Sequence, residues 1–374
     1  MAAPVQSKRI DHVRHSILQN RRALVKLATF IKDGQAVPGV VADGGDALID
    51  IVAAATAQTG SAPRHLASIQ AIVEAGDMAL ADLRTIVRQS GTDHRVALAD
   101  VRLLAPIPRP VQIRDFLAFE KHMIQAYDGI RRLRASLADD PPAYMEMMER
   151  KGILRVPDAW YENPLYYRVN PANVCGTGTD VHWPAYSNKM DFEFEFACVI
   201  GKRGKDISVT DARSHIFGYM IFNDLSARDE QARAMPGQMG PGKGKDFDNS
   251  KPMGPFLVTA DEIGDPYALA MTARLNGELF VTASSSEMNW RFEELIAYIS
   301  QSETLEPGEI FGSGTVGDGC TIETGRVIAD GDVVELEMEK IGVLQTRFIA
   351  NAHEGVRRVS VMPHNVVGDV SAVA

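Results

Sequence analysis

Asp191-Phe192-Glu193-Phe194-Glu195-Phe196-Ala197-Cys198-Val199-Ile200 is the stretch whose pattern decides the fold. Acidic and aromatic residues alternate, so Glu193 and Glu195 fall on one face of a strand and Phe192, Phe194 and Phe196 on the other. A rise of roughly 3.3 Å per residue sets the two glutamates about 7 Å apart. Unpaired carboxylates that close resist joint ionisation, and a divalent cation removes the conflict. A strand with one solvated acidic face satisfies the same pattern.

Working outward, the apolar run Gly218-Tyr219-Met220-Ile221-Phe222 ends in Asn223-Asp224-Leu225-Ser226-Ala227-Arg228-Asp229-Glu230-Gln231. Dense polar groups at the end of a buried strand are costly unless paired or coordinated. Asp224 or Ser226 can cap a helix there, or Ser226 can do so and leave Asp224 as a ligand. Gly242-Lys243-Gly244-Lys245-Asp246 sets a lysine in a glycine-rich loop, but without the GxxxxGK[ST] spacing of a nucleotide site. Arg114-Asp115-Phe116-Leu117-Ala118-Phe119-Glu120-Lys121-His122 brings an acid and a histidine near the start of a helix. On its own, such a histidine reads as a surface or core residue.

Residues 1–20 are polar and basic, expected as a loose leader or short helix. Short apolar strands separated by Asp33-Gly34 and Asp43-Gly44-Gly45 predict a small sheet. Helical spacing covers 46–58 and 63–89. Pro106, Pro108 and Pro110 interrupt both patterns, which places a domain boundary there: 1–108 as a small N-terminal α+β domain with its leader, 109–374 as the catalytic domain. A helix is predicted over Phe116–Ala135, ended by Asp139-Asp140-Pro141-Pro142, with a short one at Pro141–Lys151 and a late one at Ser284–Ser300. Strand composition marks 165–200, 216–224, 254–260, 268–282 and 333–350. Few helices lie between strands, so the class is α+β, mainly β.

The 374 residues are 45% hydrophobic and 24% charged, enough to bury a full core. A net charge of −10, with no basic cluster denser than Arg131, Arg132 and Arg134, argues against nucleic acid as a partner. Cys175, Cys198 and Cys320 form no CxxC pair, so neither a disulfide framework nor a zinc site is expected. No run of about 18 apolar residues exists to span a membrane, and the N-terminus lacks a signal-peptide apolar stretch. A cytoplasmic setting is the expectation. Cys198 reads as core packing, and Cys320 lacks the adjacent histidine of a nucleophile. Trp160 and Tyr161 fit a mobile lid or rim packing equally.

In order and spacing these segments resemble the fumarylacetoacetate hydrolase family over roughly residues 105–350. The resemblance implies a mixed β-sandwich/β-roll catalytic domain and a homodimer. It carries Asp115, Glu193, Glu195 and Asp224 over as metal ligands, His122 as general base and Glu323 as the glutamate that orients it. Gln231 and Lys245 match the polar pair assigned to the substrate's oxygen. Thr315, in Gly312-Ser313-Gly314-Thr315, matches a substrate contact, and Arg131 and Tyr167 match substrate-binding positions. Arg228 is a candidate carboxylate anchor, with a structural pair to Asp229 or Glu230 as the alternative. Leu117 and Met235 stand where tyrosines would hold the substrate, which implies a less polar pocket wall, and Asn249 stands where a threonine supports the metal.

Four carboxylates without thiolate or imidazole indicate a hard cation, Mg²⁺ first, with Mn²⁺ or Ca²⁺ as alternatives. The implied activity is hydrolysis of a C–C bond in a small oxo-acid, diketo-acid or acylpyruvate through a metal-bound enolate. Hydration, decarboxylation, isomerisation or dehydration of a 2-oxo acid would use the same apparatus, and a non-catalytic scaffold is the alternative of a different class. Retention of both His122 and Glu323 favours hydrolysis.

Overall fold

The Asp-Gly signal near the start sets the first hairpin. In a computed structural model describing residues 25–136 and 138–350, β1 (Lys26–Lys32) and β2 (Gln35–Val41) pair antiparallel, with Lys32 opposite Gln35. Asp33 and Gly34 take φ of 51° and 77°, the two left-handed positions of a type I′ turn. The leader expected over residues 1–20 lies outside the described residues.

Several boundaries differ from the sequence expectation for local reasons. Ala47–Asp50 forms β3, not the first turn of a helix, because it completes a ladder with β2. Asp50 then caps α1 (Ile51–Thr59), its carboxylate accepting from the Ala53 N–H at 2.9 Å. The long helix expected over 63–89 divides into a 3₁₀ turn, α2 (Ile69–Ala75) and α3 (Asp77–Gln89), broken at Gly76 with φ 55° and ψ −128°. After β4 (Arg95–Ala97) and β5 (Ile113–Phe116), α4 (Glu120–Ala135) starts late, since Phe116 still pairs with Tyr166. Asp140 caps α5 (Pro141–Arg150) through the Ala143 N–H at 3.1 Å.

The acidic stretch is not one unbroken strand. After β6 (Tyr166–Val169), a short bridge at Met190–Asp191 is followed by a gap, and β7 begins at Phe194 and ends at Ile200. The Glu193 N–H turns away from the ladder to donate to Asn223 Oδ1 at 3.1 Å. β8 (Ile216–Asn223), α6 (Arg228–Ala234) and β9 (Lys251–Thr259) follow. The late helix α7 covers only Phe292–Ile299, because the Arg291 N–H donates to Glu294 and fixes the cap there. β10 (Ile310–Gly312) and α8 (Thr321–Thr324) complete the elements around the site.

A 12-stranded sheet runs in the order β4-β3-β2-β1-β9-β8-β7-β10-β5-β6, with two short strands attached to β1 and β9. The β1–β9 pairing, Lys26 opposite Val258, carries this sheet across the 108/109 division. A five-stranded sheet from 179–182, 270–275, 278–284, 333–338 and 342–349 packs nearby. Phe192, Phe194 and Phe196 share one buried cluster with Phe292, Leu336 and Phe348. The aromatic face therefore enters the core, as alternation requires, and aims Glu195 the other way. Mixed sheets with interspersed helices make the fold α+β, mainly β. Among the described residues, no helix is long and apolar enough to cross a membrane.

Phe292 is fully buried, edge-on against Phe196 at 4.9 Å and tilted against Tyr219 at 5.9 Å. Phe292→Ala is expected to cost roughly 3–5 kcal/mol. A urea-unfolding midpoint that stays at the wild-type value would contradict this packing account.

Candidate active site

Four adjacent strands build the acidic centre. Asp115 is on β5, Gly312 opposes it on β10, Glu195 lies on the neighbouring β7, and Asp224 follows the last residue of β8. Asp115, Glu195 and Asp224 each place an oxygen so that all lie within 4.8 Å of one another. All three are buried. This approach requires glycine at 312, where a Cβ would meet Asp115 Oδ1 at 2.7 Å and the Phe222 ring at 2.9 Å.

Asp115 Oδ1 and Glu195 Oε1 are buried without a hydrogen-bond partner among the described residues. Burial first, then neighbouring carboxylates, pushes both acids well above the ordinary carboxylate range. A protein-only centre thus leaves two oxygens unsatisfied and two carboxylates resisting ionisation. An oxygen-binding divalent cation resolves both problems, so the donor set fits such an ion. The second oxygen of Glu195 accepts from the Gly314 N–H at 3.0 Å.

Glu193 stands apart from this trio. Its carboxylate pairs with Arg228 Nη1 at 2.7 Å and with the Lys245 ammonium. Arg228 also grips Asp191 Oδ2, through Nε at 2.8 Å and Nη2 at 2.7 Å, and donates to Gln231 Oε1 at 3.0 Å. The guanidinium is thereby committed to protein carboxylates rather than held out as an anchor for a substrate carboxylate. Asp191 in turn accepts the Thr321 and Ile322 N–H groups at 2.7 and 3.1 Å, tying α8 to the centre.

Each oxygen of Asp224 accepts at least one donor, and a carboxylate's roughly four lone-pair sites still leave one on Oδ1. Lys245 Nζ donates to its Oδ2 at 2.6 Å, the Tyr167 hydroxyl to the same oxygen at 2.8 Å, and the Lys251 ammonium to Oδ1. Burial works to raise the Asp224 carboxyl, but Lys245 and Lys251 outweigh it and hold the group below its usual range. For Lys245 the balance is similar: burial lowers it, and Asp224 with Glu193 more than restores it. The close approach of the Lys245 loop depends on Gly244, where a Cβ would meet the Gln231 backbone at 2.4 Å.

His122, on the first turn of α4, pairs with Glu323 of α8 through Nδ1 and Oε1 at 2.7 Å, both groups buried. The two helices meet because residue 129 is glycine: a Cβ there would lie 2.1 Å from the Ile322 carbonyl oxygen. Burial raises the Glu323 carboxyl above its ordinary value although His122 pulls it down. Asp191, which accepts two N–H groups of α8 and pairs with Arg228, links this pair to Glu193 at the edge of the acidic centre.

A cavity of about 720 Å³ is lined by Tyr167, Lys245 and Lys251, the three residues that bond to Asp224, and by Arg168 and Asp246 among others. Thr315 is buried with its hydroxyl unpartnered among the described residues. Arg131 bonds to Asp128 at 3.2 Å and to the Leu154 carbonyl at 3.3 Å. Met235 is 51% exposed, while the Leu117 carbonyl accepts from Trp160 Nε1 at 2.5 Å. Trp160 is buried edge-on against Trp290, as packing, and Tyr161 bonds to Glu120 at the surface. Burial, Glu323 and Asp191 push the Cys320 thiol well up, the wrong direction for a nucleophile.

Three residues escaped sequence reasoning: Asp191 as the hinge of the Arg228 network, Arg114 beside Asp115, and Lys251. Arg114 is buried and paired with Glu309 and Glu303, which fixes the strand that carries Asp115. The signal for Lys251 is its place at the head of a strand with no other charged side chain, Lys251-Pro252-Met253-Gly254-Pro255-Phe256.

Residues 137–349 match the family described as fumarylacetoacetate (FAA) hydrolase C-terminal. The Homo sapiens protein named oxaloacetate tautomerase FAHD2A, mitochondrial, is 36% identical over 189 residues, 50% of this chain and 60% of its own. The chain thus spans about 60% of the length of the mammalian relatives it matches. Oxaloacetate tautomerase YisK of Bacillus subtilis is 34% identical over 67% of this chain and 74% of its own. Among solved structures, a fumarylacetoacetate hydrolase from Exiguobacterium antarcticum superposes with a TM-score of 0.63 at 26% identity, covering 87% of this chain and 100% of that one.

Gly312→Ala is expected to displace the Asp115 carboxylate and weaken Mg²⁺ binding roughly 10–100-fold. Calorimetric titration measures this directly, and an unchanged affinity would count against the Asp115–Glu195 juxtaposition as a ligand set.

Proposed function

The chain belongs to the fumarylacetoacetate hydrolase family, and from that premise we propose that it is a divalent-cation-dependent hydrolase cleaving a C–C bond in a small diketo-acid of the acylpyruvate kind. The observation that carries this is the buried His122–Glu323 pair, 2.7 Å apart, tied through Asp191 and Arg228 to the edge of an oxygen-only acidic centre. Asp115, Glu195 and Asp224 would hold the ion, with Glu193 at its edge; Mg²⁺ suits such donors best, and Mn²⁺ or Ca²⁺ would also fit. When bound, the ion supplies Lewis acidity toward keto and carboxylate oxygens of the substrate.

The chain's own groups do the proton work. With Nδ1–H donated to Glu323, His122 keeps Nε2 as an acceptor and takes a proton from water. The hydroxide adds to the carbonyl carbon, the C–C bond breaks, and its electron pair passes to the departing enolate. His122 then returns the proton to the enolate carbon from which the bond was cleaved. Lys245 and the Gln231 amide nitrogen face the negative charge that develops on oxygen.

A second reading has a specific motive. The Homo sapiens and Bacillus subtilis relatives are named oxaloacetate tautomerases, and a histidine that shuttles one proton between carbon and oxygen would serve keto–enol exchange with the same residues.

Purified protein is expected to consume the enol absorbance of an acylpyruvate with Mg²⁺, to release two fragments, and to stop with EDTA. His122→Ala should slow cleavage about 10²–10⁴-fold. Loss of the enol form of oxaloacetate with no fragments, and no acylpyruvate cleavage, would replace hydrolysis by tautomerisation.

A further inference from the structure

Lys251 opens β9, is 1% exposed, and puts its ammonium on Asp224 Oδ1. Burying a lysine is costly, and here the protein does so next to a second buried lysine, Lys245, that already neutralises the other oxygen of the same aspartate. Asp224 needs only one of them, with the Tyr167 hydroxyl, to be satisfied at Oδ2. Fully ionised, the connected network would set five carboxylates (Asp115, Asp191, Glu193, Glu195, Asp224) against three cations (Arg228, Lys245, Lys251), an excess of two negative charges. One divalent ion brings that network to neutrality. Without Lys251 the excess would be three.

We propose that Lys251 is a positioning residue that sets how tightly the centre holds its divalent cation, its ammonium acting as a tethered counter-ion on Asp224 Oδ1. This rests on Asp115, Glu195 and Asp224 being the cation centre. Two consequences follow from charge and geometry. In the ion-free protein, Lys251 keeps Asp224 from adding its full charge to the repulsion between Asp115 and Glu195. In the loaded protein it occupies one Asp224 oxygen and repels the incoming ion, which lowers affinity and lets the ion exchange.

The test is Mg²⁺ titration calorimetry on chelator-stripped full-length protein, wild type against Lys251→Met and Lys251→Arg, with thermal melts of each. Lys251→Met is expected to bind Mg²⁺ about tenfold tighter or more, since a unit charge a few ångströms from the site is removed. Its ion-free melting temperature should fall and be restored by Mg²⁺. Lys251→Arg, which keeps the charge, should stay within about threefold of wild type on the same electrostatic ground. Protein that folds only with Mg²⁺ present and unfolds on chelation supports the same role. Equal or weaker binding by Lys251→Met overturns it. So does failure of both Lys251→Met and Lys251→Gln to fold even with Mg²⁺, because the lysine is then a structural pillar only. Absence of Mg²⁺ binding by the wild type itself removes the cation centre, a distinct failure read from the first titration.

Discussion

Repulsion among buried carboxylates is the constraint around which the site is arranged. Asp115, Glu195 and Asp224 converge within 4.8 Å, with Glu193 alongside. In a low-dielectric interior like charges at such distances cannot all persist without compensation. The surrounding sequence answers with fixed cations at three corners: Arg228 between Asp191 and Glu193, Lys245 between Glu193 and Asp224, and Lys251 on the far oxygen of Asp224. The corner between Asp115 and Glu195 has no such cation among the described residues, and there the unpartnered oxygens lie. Charge compensation is thus withheld at the one place where an exchangeable ion would supply it.

The sheet makes this arrangement possible by bringing distant segments side by side. β5, β10, β7 and β8 are adjacent in space although their residues span 113 to 312 in sequence. Glycines remove obstacles at the tightest approaches: Gly312 under Asp115, Gly244 against Gln231, Gly129 against Ile322. Each is a steric requirement on a neighbour's position. The acid–base pair uses the same device, since α4 and α8 must nearly touch for His122 to reach Glu323.

β1, β2, β6, β7, β8 and β9, the Asp33-Gly34 hairpin and the inward aromatic face were legible because alternation and turn chemistry are local, whereas β3, β4, β5 and β10 are too short to carry such a pattern. Element ends were less legible. Asp50, Gly76 and Glu294 decide where helices start or break, through single hydrogen bonds or one φ angle that a periodicity count does not weigh. Within the site, the residues that the structure gathers as Asp115, Glu195 and Asp224, and the His122–Glu323 pair, stood in recognisable motifs. Glu193 looked equivalent to Glu195 by spacing, yet the strand is interrupted before it and its charge is spent on Arg228 and Lys245. Arg228 was open to a partner at positions 229 or 230, whereas Asp191 lies 37 residues away. A lysine at a strand's first residue reads as a solvated edge. Only the pairing of β9 beneath Asp224 gives Lys251 its meaning.

Catalysis at this site requires a divalent cation at the open corner of the carboxylate cluster. Anomalous diffraction from crystals equilibrated with Mn²⁺ locates that ion without reference to any substrate. The expected result is one dominant peak within coordinating distance of Asp115, Glu195 and Asp224, at about 2.0–2.4 Å for an oxygen-bound ion. A fully occupied peak elsewhere, or none at saturating Mn²⁺ with the three carboxylates still converged, would contradict it.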